Sequence, residues 1–389
     1  MNLLRSLHPN QHARVGFIEL FFDLVFVFAI TQLSHTLLHE LTPLGALQTF
    51  VLFMAVWWAW IDTSWVTNWL DPDRWPVRLM LLVLMLAGLV LSTSLPEAFG
   101  DRGLGFACAY AFIQVGRSLF TMFAFRGRNH ANYVNFQRIT IWVSVCGGLW
   151  IAGAFAEGET RLAIWIVAVA LENIGPAVRF WTPFHGVSDV RDWNVEGNHM
   201  AERCGLFIII ALGESILVTG ATFADSIWTT PTVLAFVVAF VGSVALWWIY
   251  FDTGQGRGTE SITRSAEPGR IARLAYTYVH IPIVAGIVVS AVGDELVLAH
   301  PDGHLETGMV ATLVGGPALY LIGTFLFRYA TLRVWSWTFL VGTVVLASIA
   351  WNADLRTPLE LSTRVMVVLV LVAAAETIVV RLRQRRIGT

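Results

Sequence analysis

The chain has 389 residues, 56% of them hydrophobic and 13% charged, with a formal net charge of −2 and a mean hydropathy of +0.66. About a quarter of a soluble domain is charged, so this balance argues against a soluble enzyme or a nucleic-acid-binding module. Apolar runs of roughly 18 residues or more recur along the whole length, which describes an all-α polytopic membrane protein.

In chain order, apolar runs bounded by Pro, Gly and charge predict about twelve transmembrane helices. They lie near 15–38, 44–67, 77–95, 104–125, 138–156, 162–178, 204–222, 232–252, 274–293, 308–328, 333–351 and 364–381. Each is long enough to cross about 30 Å of hydrocarbon. Ahead of the first, MNLLRSLHPNQHAR has no apolar core and no small-residue cleavage site, so it does not read as a signal peptide.

Every basic residue is arginine. With the N-terminus inside, twenty arginines fall on inner segments and four (Arg102, Arg161, Arg356, Arg364) on outer ones, while Arg117 lies within a span. That bias predicts a multi-pass protein with both termini cytoplasmic. The stretch around Asp294, Glu295, Asp302 and Glu306 reads as an acidic outer loop. Cys108, Cys146 and Cys204 have neither CxxC nor His-partner spacing, so they read as small buried hydrophobes, with no metal site and no cofactor.

A repeat runs through the pattern. The second helix ends WWAWIDT (Trp57 to Thr63) and the eighth ends WWIYFDT (Trp247 to Thr253), 190 residues on. Near the same offset Arg14-Val-Gly-Phe meets Arg203-Cys-Gly-Leu, and Asp23 falls within about one residue of Glu214. AVALENIG around Glu172 also resembles VAAAETIV around Glu376. Residues 1–180 would then form a first six-helix repeat, 181–202 a cytoplasmic linker and 203–389 a second repeat. Six is an even number, so the two repeats are parallel.

Several charges need explaining inside such spans. Glu19 and Asp23 are four apart on one helical face, and two ionised carboxylates at low dielectric call for a cation, with Arg14 and Arg203 as candidates. Arg117 sits mid-span and needs an anion, for which Asp23, Glu214, Glu172 and Glu376 are available. His280 is a further titratable group in the ninth helix. Intramembrane ionisable residues usually mark ion, proton or solute paths, although a register-fixing ion-pair network is the plain alternative. Asp62 and Asp252, beside Trp57, Trp58, Trp247 and Trp248, read as interfacial. No HExxH, Walker or GxGxxG pattern is present, and GQGRG (Gly254 to Gly258) reads as a loop. The closing RLRQRR reads as a lipid-facing basic end.

VGFIELFFDLVFVFAITQLSH (Val15 to His35) and HMAERCGLFIIIALGES (His199 to Ser215) resemble the two signature segments of the bacterial low temperature requirement A family. The Trp-Trp-x-aromatic-x-Asp endings and the twelve-span length fit as well. The resemblance implies a bacterial inner-membrane protein associated with growth in the cold. Together with the charges it leads to an expected secondary transporter, an ion- or proton-coupled permease, with no catalytic residues. Its pathway would be lined by Asp23, Glu214, Glu19, Arg117, Arg203, Glu172, Glu376 and His280. The alternatives are a non-transport scaffold or lipid-state sensor, and an intramembrane lipid-acting enzyme. Expected partners are the lipid bilayer and a proton, cation or small polar solute, with no nucleic acid; self-association stays open.

Overall fold

The computed structural model describes residues 2–5, 15–188, 196–252, 268–351 and 357–387. Arg14, the GQGRG run and 189–195 of the expected linker lie outside them. Among the described residues the chain is helical, and extended pairing is limited to two isolated bridges, Leu4 with Leu70 and Thr182 with Gly186.

Six helices precede the linker: α1 Phe17–His39, α2 Pro43–Trp69, α3 Trp75–Ser94, α4 Gly103–Phe125, α5 His130–Ala154 and α6 Gly158–Ala177. After it come α7 Gly197–Asp225 and α8 Thr230–Phe251, a short α9 Pro268–Ala272 running into a π segment Arg273–Tyr278, then α10 His280–Ala299. The last three are α11 Thr307–Leu332, α12 Trp337–Trp351 and α13 Pro358–Ile387.

Local chemistry sets several boundaries. Asn129 caps α5 by accepting from the Asn132 amide. Thr229 and Thr232 form a reciprocal capping box at the start of α8, with Pro231 in its first turn. The π segment has its cause at Pro282, which offers no N–H to the Tyr278 carbonyl one turn back. The ladder widens just before it, and Val279 N donates to Leu274 O over five residues, at 3.1 Å.

Ten helices among the described residues are long and apolar enough to cross a membrane. The two others explain the difference from twelve. α5 has 25 residues, but its first turns carry His130, Asn132, Asn135, Gln137 and Arg138. α12 is apolar but only 15 residues long, about 22 Å at 1.5 Å per residue.

The chain divides into two compact units, Met1–Thr36 with Pro43–Arg203, and Leu37–Thr42 with Cys204–Thr389. In the first unit α4 packs on α3 and α5, and α5 on α6. In the second, α10 packs along α11, and α8 along α13. Glycine makes the α10–α11 pairing close: a β-carbon on Gly286 would lie 2.6 Å from Tyr320 N, and one on Gly316 2.6 Å from Ser290 N. Small residues at such crossings let backbones approach without hydrophobic help from lipid.

Asp294 lies within α10, five residues before its end, and not in a loop; Asp302 and Glu306 do follow the helix. The apolar run continues through Leu296, Val297 and Leu298, which is why the helix outlasts the two acids.

Candidate functional site

The densest polar cluster of the first unit lies where the start of α1, the end of α2 and the start of α7 meet. Its anchor is Asn68 on α2, whose Oδ1 accepts from Glu196 N at 3.1 Å while Nδ2 donates to Glu196 O at 2.9 Å. This clamp fixes the backbone just ahead of α7 and so delivers His199 and Arg203. Asn68 Nδ2 also faces His199 Nδ1 at 3.3 Å, leaving His199 Nε2 to donate to Glu19 Oε1 at 2.9 Å.

Glu19 is filled on both oxygens. Its Oε2 accepts from Arg5 Nη2 at 3.0 Å and from the Gly16 amide at 2.8 Å, so it also caps its own helix. Arg5 reaches it because residues 3–5 run against the end of α2, with Arg5 N donating to Trp69 O and Asp71 N to Leu3 O.

Arg203 binds Asp23 with both terminal nitrogens, Nη1 to Oδ2 at 2.7 Å and Nη2 to Oδ1 at 2.8 Å. Such a fork is the strong form of this pair. Nη1 further donates to Glu19 O, and Nε and Nη2 to Ser64 Oγ. Trp60 Nε1 gives Asp23 a third hydrogen bond at 2.8 Å, and its ring lies 5.5 Å from the guanidinium carbon. Asp23 and Arg203 are both 0% exposed, so this pair depends wholly on its partners for charge compensation.

A second network runs from α2 through α4 to α6. Arg117 Nη2 meets Asp62 Oδ2 at 3.1 Å, and Nη1 donates to Ala59 O and Thr63 Oγ1. Gln114 accepts from Arg117 and donates to Tyr110 Oη at 3.0 Å. Tyr110 in turn donates to Glu172 Oε1 at 2.8 Å, where Trp150 Nε1 adds a bond at 3.1 Å. Packed aromatics hold these donors, with the Trp150 ring edge-on to Tyr110 at 5.2 Å and tilted against Trp165 at 5.0 Å. Glu172 Oε2 is buried and has no hydrogen-bond partner among the described residues.

The second unit holds separate pairs. Arg328 and Thr338 both donate to Glu376, and Arg328 also reaches Ser336 Oγ. His280 is buried between Tyr250 Oη at 2.8 Å and Ala275 O at 2.7 Å. Glu214 is buried in the middle of α7. Asp252 is exposed and accepts from Thr377, to which Trp248 also donates.

Against the sequence expectations, Asp23 does meet Arg203. The anion for Arg117 is Asp62, not any of the four deeper acids, because Asp62 sits one turn from Ala59 on the face of α2 that α4 covers. Asp62 is therefore part of a buried network and differs from Asp252. Arg5 and His199 had no assigned role. Arg5 stands in a polar tail outside every apolar run, and His199 lies in the polar stretch just ahead of the seventh one.

A family model described as bacterial low temperature requirement A protein (LtrA) matches residues 14–374. An uncharacterized protein of Rhizobium meliloti (strain 1021), RA0937, is 42% identical over 348 residues, covering 89% of this chain and 84% of that one. No solved structure matches the chain. With the match spanning nearly all of the residues that build both networks, the chain belongs to the bacterial low temperature requirement A family.

Proposed function

We propose that this chain is a secondary permease of the bacterial inner membrane, moving a small polar solute or cation with proton or ion coupling. The observation that carries this reading is the amount of buried charge on α1 and α7. Glu19, Asp23, His199 and Arg203 are each no more than 1% exposed. Ionisable groups at membrane depth commonly serve a path or gate. Asp23 is saturated by Arg203 and Trp60, which suits a latch that opens rather than a resting binding site. Glu172 and Glu214 would be the acids that load and release.

The reading includes twelve spans in two parallel six-helix repeats, with both termini cytoplasmic, so that α4, α5 and α6 correspond to α11, α12 and α13. Two patterns support it. Glu172 on α6 accepts from Tyr110 on α4 and Trp150 on α5, and Glu376 on α13 accepts from Arg328 on α11 and Thr338 on α12. On α3 and α10, AGLVLS (Ala87 to Ser92) matches AGIVVS (Ala285 to Ser290) 198 residues on. In each the serine hydroxyl donates to the glycine carbonyl at 2.8 Å.

The test is flux in proteoliposomes, followed with a pH-sensitive dye across a panel of ions, for wild type, Asp23→Asn, Glu172→Gln and Glu214→Gln. Loss of flux in variants that stay folded is the expected result. Identical flux in all four sinks the assignment.

A non-transport scaffold is the second reading, favoured by the completeness of bonding around Arg203, whose three nitrogens are all engaged. It calls for lower detergent thermostability in Asp23→Asn with no ion-dependent effect. A lipid-acting enzyme has less support, since Asp62 and Asp252, the acids it would use, are held by Arg117 and Thr377.

A further inference from the structure

A cavity of about 30 Å³ lies among α8, α10, α11 and α13 of the second unit. A water-sized sphere needs roughly 10–15 Å³ of such space, so it holds one or two small species and no nutrient-sized solute. Asp294, Ser290, Ser243, Ser362, Leu313 and Pro317 are among its lining residues.

Asp294 is the reason to look at this space. It is half-buried in the wall of the cavity, and it makes no hydrogen bond or ion pair with any described residue. Glu19, Asp23, Asp62, Glu172 and Glu376, by contrast, each meet an arginine, a tryptophan or a hydroxyl. A carboxylate in a membrane helix without such a partner is costly unless something neutralises it.

The remaining lining groups are oxygen donors. Ser290, one turn before Asp294 on the same face of α10, gives its proton to Gly286 O at 2.8 Å, which leaves its lone pairs available. Ser243 lies 3.4 Å from Ser215, so its hydroxyl has only a weak neighbour. Pro317, within α11, has no N–H to offer the Leu313 carbonyl four residues back. Both residues line the cavity, and a carbonyl released in this way is a ligand type used at ion sites in broken membrane helices. No side-chain nitrogen is among the lining residues, and the one sulfur is the weakly coordinating thioether of Met366.

We propose that this cavity binds one monovalent cation of the size of Na⁺, with Asp294 as the charged ligand and Ser290, Ser243, Ser362 and the Leu313 carbonyl as neutral ones. The five named ligands are all oxygens, with the carboxylate as the only charged one. Such donors suit a hard cation better than a transition metal, the Met366 thioether being a neutral, soft neighbour. A single negative charge balances +1 and leaves a divalent ion uncompensated in a low-dielectric wall. The site stands whether or not the chain moves a solute, so it goes beyond the permease reading.

The experiment uses full-length protein in nanodiscs, with ²²Na⁺ binding and thermal melts in NaCl, CaCl₂ or choline chloride at constant ionic strength. Wild type should show saturable Na⁺ binding and a Tm that rises with Na⁺ but not with choline. Asp294→Asn, close in shape but neutral, should lose both, while Asp302→Asn in the following loop should keep both. Ser290→Ala, which removes only one neutral ligand, should weaken binding by roughly tenfold and keeps the test open if Asp294→Asn does not fold. Equal response of wild type to Na⁺ and choline overturns the proposal, as does a Ca²⁺ response in place of Na⁺. Undiminished ²²Na⁺ binding in Asp294→Asn or Ser290→Ala overturns it too.

Discussion

The two Trp-Trp motifs share a sequence and differ in surroundings: the first lies within α2, which runs on to Trp69, and the second closes α8. On α2, Trp57, Trp58 and Trp60 are at most 3% exposed, and on α8, Trp247 and Trp248 are 43% and 40% exposed. Position by position, Trp60 corresponds to Tyr250 and Asp62 to Asp252. Trp60 bonds an ionised pair, Asp23 with Arg203, whereas Tyr250 bonds His280. Asp62 meets a guanidinium and Asp252 a threonine hydroxyl. One motif thus serves a charged interior in the first unit and a largely neutral, outward-facing helix in the second. An apolar helix face tolerates charge only where neighbours supply the counter-charge, and in the first unit Arg117, Arg203 and Arg5 supply it.

The strongest way to break the comparison is Arg203→Ala. It leaves Asp23 uncompensated in a fully buried setting, where removing one partner typically costs about 3–5 kcal/mol. We expect loss of folded protein in fluorescence-detected size-exclusion chromatography. Arg203→Lys should recover little, because an ammonium lacks the fork that spans both carboxylate oxygens. Normal yield and Tm for both variants would refute the importance of the pair.

Next comes the Arg117–Asp62 link. A double-mutant cycle on Arg117→Leu and Asp62→Leu should give a coupling of roughly 1–3 kcal/mol by thermal melts in detergent, smaller than for Arg203 because Asp62 keeps 28% of its side chain exposed. Strict additivity of the two substitutions would show that they do not interact.

Smaller again are the two matched aromatics. Trp60→Phe removes one hydrogen bond to a charged group and should cost about 1.5–3 kcal/mol, while Tyr250→Phe removes a neutral one and should cost about 1 kcal/mol. The order of the two melts is the check. Asp252→Asn, on the exposed copy, should leave the Tm unchanged within error, and a clear drop would erase the contrast between the motifs.

How much of this was legible beforehand varies by level. All twelve apolar segments correspond to helical stretches, since length and hydropathy act locally along the chain. Which of them clear the length and polarity needed for crossing was less visible, because α5 opens on polar residues and α12 is short. The Asp23–Arg203 pair was readable, as buried opposite charges seek each other and few were available. The Arg117–Asp62 pair was not, because depth counted along a helix says nothing about which face a neighbour covers. Arg5 was hidden by its place in a polar tail, and the π segment became visible only once Pro282 was seen against the ladder before it. Asp294 was misplaced because two adjacent acids resemble the end of a span, although three apolar residues follow them.

The glycine seam between α10 and α11 has a mechanical consequence. With backbone against backbone at Gly286 and Gly316, neither helix can slide or roll without lifting off the other, so the pair behaves as one stiff plank. Any rearrangement of the second unit must carry that plank as a body and take up its bend at the widened turn before His280. The Asp294 cavity, walled on one side by the plank and on the other by α8 and α13, would then change volume with its tilt.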